Sequence, residues 1–313
     1  MANPGSPGGC CCDWLVADQL SKAAELTIDI LGASVGNYKV INRVGTGAMA
    51  EVYRAMNPET RNCVALKILK SDHRNSPESL TRFSAEGETT AALDHPNIVS
   101  MYRTGELSGR PFIMMELLEG GSLQERLSGG HPLPLNAALL IAIQLANALD
   151  HSHSRGILHL DLKPSHIMFA ADQVSVRITD FGIAQVQNQP LGEGAAMDHI
   201  MASPRYMSPE QANDIEPGPG SDLFSLGSIF YEMLSARKAF NANTLPGLIQ
   251  QIREEEPIPL HTLTPETPAG LVAIVERLLR KQPAERFPNG STLARALREQ
   301  LRLATRSEED LLD

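Results

Sequence analysis

The chain has 313 residues, 42% hydrophobic and 20% charged, enough apolar material for one large buried core or two smaller ones. A net charge of −10 argues against general attraction for nucleic acid or anionic membrane, since both need concentrated Lys and Arg. No apolar run approaches the roughly 20 residues of a spanning helix, and the opening Met1–Pro7 has no basic or apolar segment of a secretion signal; a cytoplasmic location is expected.

Residues 1–36 read as an N-terminal extension, partly disordered. Cys10, Cys11 and Cys12 are adjacent and cannot surround a tetrahedral zinc, so a disordered tail is the simplest reading, with acylation or redox sensitivity as the functional alternative. Apolar residues at helical spacing predict a helix over Trp14–Leu31, and Gly32–Gly36 reads as a linker. Tyr38–Val44 and Glu51–Ala55 alternate as strands around a glycine-rich turn. Cys63–Leu69 reads as a third strand, buried along most of its length, with Cys63 an inert core thiol. Ser76 as cap and Pro77 as first residue start a helix that ends by Asp94-His95-Pro96. Leu80, Phe83 and Ala91 mark its buried face, while Gly87, Thr89 and Thr90 weaken it. Beyond Gly120-Gly121 the pattern turns helical, over Asn136–His153, Ser221–Ser235, Pro246–Glu254, Gly270–Arg280 and Ser291–Leu303. A small strand-rich region followed by a larger helical one predicts an α+β, two-lobed arrangement with its site in the cleft.

Three stretches carry chemistry. His159-Leu160-Asp161-Leu162-Lys163-Pro164, followed by Arg177-Ile178-Thr179-Asp180-Phe181-Gly182, sets an aspartate, a lysine and a second aspartate in the order of a phosphoryl-transfer site. Asp161 can accept a hydroxyl proton, Lys163 can neutralise a terminal phosphate and Asp180 can hold Mg²⁺. In Val44-Gly45-Thr46-Gly47-Ala48-Met49-Ala50-Glu51-Val52, two glycines let backbone approach phosphates closely and Val52 can cover a flat base. Alone, such a pattern marks only a tight turn. Lys67, inside an otherwise apolar strand, is costly to bury without an anionic partner.

Together these motifs resemble the eukaryotic-type serine/threonine protein kinases, in wording most like the bacterial ones, over about Tyr38 to Leu303. The resemblance implies a bilobal protein-kinase fold: a kinase domain at 37–303, with a β-rich N-lobe (37–118) and a helical C-lobe (119–303), then a tail at 304–313. It implies that Glu86 pairs with Lys67 and orients it toward the α- and β-phosphates, Glu88 being worse placed. Phe112–Gly121 resembles the hinge strand, which puts Met115 behind adenine, the Glu116 carbonyl and Leu118 amide on its edge, and Ala65 and Met168 on its faces. Ala202–Glu210 resembles the substrate-pocket segment, with Ser203 at the usual Thr. Asp222 is implied to brace the catalytic loop and Arg286 to pair with Glu210. These later features separate the chain from small-molecule phosphotransferases, a third and weaker reading.

The chain departs from the pattern at informative positions. Ala50 replaces a third Gly. His166 stands where the family places a second metal ligand, an amide oxygen. Mg²⁺ prefers oxygen while imidazole suits transition metals, so weakening that ligand could remove about 2–4 kcal/mol of transition-state stabilisation. Leu160 replaces the arginine that pairs with an activation-loop phosphate, and between Phe181 and Ala202 there is no Ser, Thr or Tyr. Receptor and acceptor of that switch are missing together, so activity independent of loop phosphorylation is expected. The implied activity is transfer of the γ-phosphoryl group of ATP, with Mg²⁺ or alternatively Mn²⁺, to serine or threonine of a protein partner. The alternative is a pseudokinase acting as a nucleotide-binding scaffold or switch.

Overall fold

The computed structural model describes residues 30–181, 185–186 and 204–309. The predicted helix at Trp14–Leu31 (except its last two residues), the Cys10–Cys12 run, Ser203 and most of the loop without hydroxyl residues lie outside them.

The chain forms two compact units. The first comprises the described residues up to Pro77 together with Arg103–Leu117, and the second comprises Glu78–Tyr102 and the described residues from Leu118 onward.

The first unit is built on a six-stranded sheet: β1 (Ser34–Val35), β2 (Tyr38–Thr46), β3 (Ala50–Met56), β4 (Cys63–Leu69), β5 (Met101–Leu107) and β6 (Arg110–Glu116), in the order β1-β2-β3-β4-β6-β5. The segment read as a linker is therefore part of the sheet. Val35 is buried and pairs with Tyr38, and Ile30, in a turn rather than a helix, is 1% exposed in the same core. That core holds Val40, Tyr53, Ala55, Val64, Leu66, Ile68, Phe112 and Met114, contributed by alternate positions of pleated strands. Cys63 is not a core thiol. It is half-buried, and the Arg54 guanidinium donates to its sulfur through Nε (3.4 Å) and Nη2 (3.3 Å).

The second unit is helical: α1 (Pro77–Ala91), α2 (Leu123–Leu127), α3 (Leu135–His153), α4 (Pro209–Ala212), α5 (Pro219–Ser235), α6 (Leu245–Glu254), α7 (Leu260–Leu263), α8 (Ala269–Leu278) and α9 (Gly290–Glu309). The buried face of α1 is Phe83, Glu86, Gly87 and Thr90, at the i, i+3, i+4, i+7 spacing of one helix side, whereas Ala91 is exposed. Gly87 and Thr90, expected only to weaken the helix, thus sit at its packed side. The last helix continues to Glu309, past the expected end at Leu303. At the centre lies α5, whose residues from Ser221 to Ser235 are all buried, as in a helix packed on every side. Its polar groups are largely satisfied in place: Ser225 Oγ donates to the Tyr206 carbonyl at 2.7 Å, and Glu232 Oε2 accepts from Tyr206 Oη at 2.7 Å. Two short antiparallel strand pairs complete the unit, β7 (Ile157–Leu158) with β10 (Gln185–Val186) and β8 (Ile167–Phe169) with β9 (Val176–Ile178). No helix among the described residues is long and apolar enough to cross a membrane.

Candidate active site

The loop after β7 is fixed from the buried helix α5. Asp222, in its first turn and fully buried, accepts the main-chain N–H of His159 at Oδ2 (2.8 Å) and that of Leu160 at Oδ1 (2.7 Å). His153 Nε2 lies 2.7 Å from the same Oδ2. Burial works to raise the Asp222 carboxyl, but the hydrogen bond and charge of His153, with those of His159, hold it below the usual carboxylate range. These three donors make the loop geometry a property of the core.

His159 passes that constraint onward. Its Nδ1 accepts the N–H of Asp161 (3.2 Å), so Nε2 carries the proton and donates to the carbonyl of Thr179 (3.1 Å). One buried imidazole thereby ties the residue before Asp180 to Asp161. Phe181 packs on the same ring, centroids 4.7 Å apart. Leu160 (φ +62°) and Asp180 (φ +60°) both adopt the left-handed region, which non-glycine residues rarely adopt and which is enriched at functional sites.

The side chains on this frame converge. Lys163 Nζ donates to Asp161 Oδ2 at 2.7 Å. A single 3₁₀ turn, Pro164–His166, brings His166 back so that Nδ1 lies 2.9 Å from the main-chain carbonyl of Asp161. A carbonyl only accepts, so Nδ1 holds the proton. Burial is the main cause pushing the imidazole down to about 4, against the opposing charge of Asp180, so it is neutral near pH 7. Its bare Nε2 faces Asp180 Oδ2 at 3.8 Å. Thr179 Oγ1 bridges His166 O and Asp180 Oδ2, both at 3.3 Å. An unprotonated nitrogen facing a carboxylate oxygen is a donor set that fits a divalent cation; the oxygen suits Mg²⁺ and the nitrogen suits Mn²⁺ or other transition metals. Among the described residues no cluster of three or more His, Cys, Asp or Glu forms a closed metal cage.

Of the other residues predicted in the second unit, Glu86 is buried on α1 (8% exposed) and Met168 is half-buried on β8. Half-buried Leu118 precedes a segment held against β8, where Gly120 N–H donates to Phe169 O (3.0 Å) and Phe169 N–H to Gly121 O (2.8 Å). A Cβ at Gly120 would lie 2.7 Å from the Phe169 carbonyl oxygen, so only glycine permits this approach.

In the first unit, Thr46 ends β2 and Ala50 begins β3 across a turn closed by Gly47 N–H to Ala50 O (2.9 Å). Gly45 stands opposite Val52, Val52 opposite Lys67, and Ala65 opposite Met115, so the register gathers five of the predicted nucleotide residues on four adjacent strands. Val44, Thr46, Gly47 and Ala48 are exposed, Met49, Lys67 and Glu116 are half-buried, and Ala50 is buried, its methyl absorbed by packing. Glu51 differs from the expectation for a phosphate loop. Its carboxylate accepts Arg43 Nη1 (2.9 Å), Tyr53 Oη (3.0 Å) and Arg110 Nη2 (3.2 Å), leaving the main chain as its contribution to a ligand.

Within the second unit, Arg286 holds Glu210 bidentately, Nη1 to Oε1 at 2.7 Å and Nη2 to Oε2 at 2.8 Å, both side chains buried. Ser221 Oγ adds a third bond to that carboxylate at 2.6 Å. Gln211 and His153 escaped the sequence reading. Ser208-x-x-Gln211 is a capping-box pattern and does cap α4, but nothing local signals that the Gln211 amide also reaches Leu160.

A strand-rich unit carrying a glycine loop and an embedded lysine, followed by a helical unit that gathers Asp161, Lys163 and Asp180, is an α+β protein-kinase fold. The chain belongs to the protein kinase family, its residues 38–298 matching the protein kinase domain. It is similar to the serine/threonine-protein kinase PknA of Mycobacterium tuberculosis, 34% identical over 268 residues, which cover 84% of this chain and 61% of that protein. It is also similar to the probable serine/threonine-protein kinase CPE1738 of Clostridium perfringens, 33% identical over 259 residues, covering 82% and 37%. Among solved structures, the kinase domain of PknI from Mycobacterium tuberculosis matches with a TM-score of 0.65 and 26% identity, over 86% of this chain and 98% of that one. The chain spans 37% to 61% of the length of these curated relatives.

Proposed function

We propose that the chain is a protein kinase that transfers the γ-phosphoryl group of ATP to serine or threonine hydroxyls of proteins. The observation that carries this reading is the Asp161–Lys163 pair at 2.7 Å on a loop whose main chain is fixed by Asp222 and His159. Asp161 orients the acceptor hydroxyl and takes its proton, and Lys163 offsets charge on the transferred group. The glycine-rich segment 44–52, Ala65, Lys67, Met115 and Glu116 are proposed nucleotide contacts of the first unit, and Leu118 and Met168 those of the second. Asp180 and His166 Nε2 would hold the divalent cation, which when bound neutralises phosphate charge. With a nitrogen in the set, Mn²⁺ is expected to serve at least as well as Mg²⁺.

The test is phosphate transfer from ATP to a generic protein substrate, with Asp161→Asn as the control. Transfer by the native chain that falls by about 10²–10⁴-fold in the variant supports the reading. Nucleotide binding with no transfer under Mg²⁺ or Mn²⁺ would replace it with a nucleotide-binding scaffold.

A further inference from the structure

The peptide group joining Leu160 to Asp161 is held at both ends. Its N–H donates to His159 Nδ1 at 3.2 Å, and its carbonyl accepts Gln211 Nε2 at 2.9 Å. Gln211 sits on α4, 51 residues further along the chain, in the stretch that follows Tyr206 and Met207. Its amide is oriented by its other end, since Oε1 accepts both Ser208 N–H (3.0 Å) and Ser208 Oγ (3.0 Å). Turning the amide over would set donor against donor at Ser208 and oxygen against oxygen at Leu160, so the network admits one orientation. Leu160 itself is left-handed, its side chain 6% exposed, and a small cavity beneath it is lined by Asp161, Tyr206, Met207 and Gln211. A residue in that conformation persists only where its surroundings over-determine it. Asp222 fixes its N–H, and Gln211 is the side chain that fixes its carbonyl.

We propose that Gln211 is a positioning residue for Asp161: by holding the Leu160 carbonyl it sets the plane of the peptide that carries the aspartate, and it does so from the α4 segment with no charge at position 160. Loop geometry then depends on a neutral amide bond that is always present, rather than on a modification elsewhere. This rests on the kinase reading for its effect on rate, but not for its effect on the loop.

Gln211→Glu keeps the acceptor bonds to Ser208 and replaces the donor to Leu160 by a carboxylate oxygen facing its carbonyl; Gln211→Lys keeps a donor and loses the acceptor. In the full chain, Gln211→Glu is expected to lower kcat on a protein substrate by about 10- to 100-fold, the scale of a small misplacement of a reacting group. KM for ATP should change by less than about twofold, and Gln211→Lys should recover at least about tenfold over Gln211→Glu. Hydrogen exchange of the Leu160 and Asp161 amides, followed by mass spectrometry on the native chain and both variants, should be faster in Gln211→Glu and near native in Gln211→Lys. Unchanged exchange together with a native kcat in Gln211→Glu would overturn the proposal, as would equal losses in nucleotide affinity and kcat. If the native chain transfers no phosphate, the kinase reading fails separately, and the exchange comparison alone decides the role of Gln211.

Discussion

His166 donates its Nδ1–H to the main-chain carbonyl of Asp161 at 2.9 Å while its bare Nε2 points at Asp180 Oδ2, 3.8 Å away. One neutral ring therefore supports Asp161 through its backbone and offers a nitrogen beside Asp180. At this position an imidazole both positions a residue and extends a candidate metal site.

That double role predicts a metal preference. Fluorescent-nucleotide binding to the native chain is expected to be tighter with Mn²⁺ than with Mg²⁺, because nitrogen ligands favour the transition metal. In His166→Asn, which presents an amide oxygen, the ratio of the two dissociation constants should fall by about tenfold. A ratio that does not move would remove His166 from the metal's ligands.

Glu210 and Arg286 form a buried, bidentate pair whose carboxylate also accepts from Ser221. Arg286→Met leaves a buried carboxylate without its cation, and should destabilise the chain by about 3–5 kcal/mol in urea unfolding. The double variant Glu210→Gln with Arg286→Met should be less damaging than Arg286→Met alone, since it removes the stranded charge.

Acid should loosen the second unit through His95 and His151, whose rings are 5.0 Å apart. The Nδ1 of His95 accepts the Asn97 N–H (3.0 Å), and Nδ1 of His151 faces Arg155 Nη1 (3.2 Å). Burial is the first cause lowering both, then for His95 the charges of His151, Arg177 and Arg155, and for His151 that of Arg155, with Asp94 opposing. The unfolded chain takes up protons near 6.5 while the folded one resists. Stability should therefore be complete above that pH and fall as pH drops from 6.5 toward the lowered folded values. His151→Gln should flatten the difference in urea midpoint between pH 7 and pH 5, and an identical difference would count against the pair.

Leu160 is packed in the core where the resembled family has an arginine, and its main chain is held by Asp222 and Gln211. Transfer activity should be the same within about twofold before and after exhaustive phosphatase treatment, because the loop's anchors are all permanent side chains. A large loss on dephosphorylation would locate a phosphate-dependent element elsewhere in the chain.

Much of this site was legible because its parts are local. Asp161 and Lys163 are two residues apart in an extended loop, which brings their ends together at 2.7 Å, and β2, β3 and β4 are legible from alternation or a continuous apolar run. The misreadings share one cause, the missing partner. Periodicity alone puts Ala91 on the face that Glu86, Gly87 and Thr90 occupy, and a strand pattern alone puts Cys63 in a core, whereas Arg54 reaches its sulfur. Gly32–Gly36 read as a linker because Val35 has no apolar neighbours in sequence, although β2 covers it.

The order of the motifs, the type of the long elements and the candidate reacting groups follow from the chain read alone, since periodicity and short spacings are set by backbone geometry. The family resemblance implies the Asp222 brace and the Arg286–Glu210 pair across 62 and 76 residues, but their atoms meet only in the folded chain, and Gln211, 51 residues from Leu160, was placed by folding alone. Hydrogen bonds depend on distances of a few tenths of an ångström between atoms brought together by packing, and no local pattern of side chains encodes such a distance.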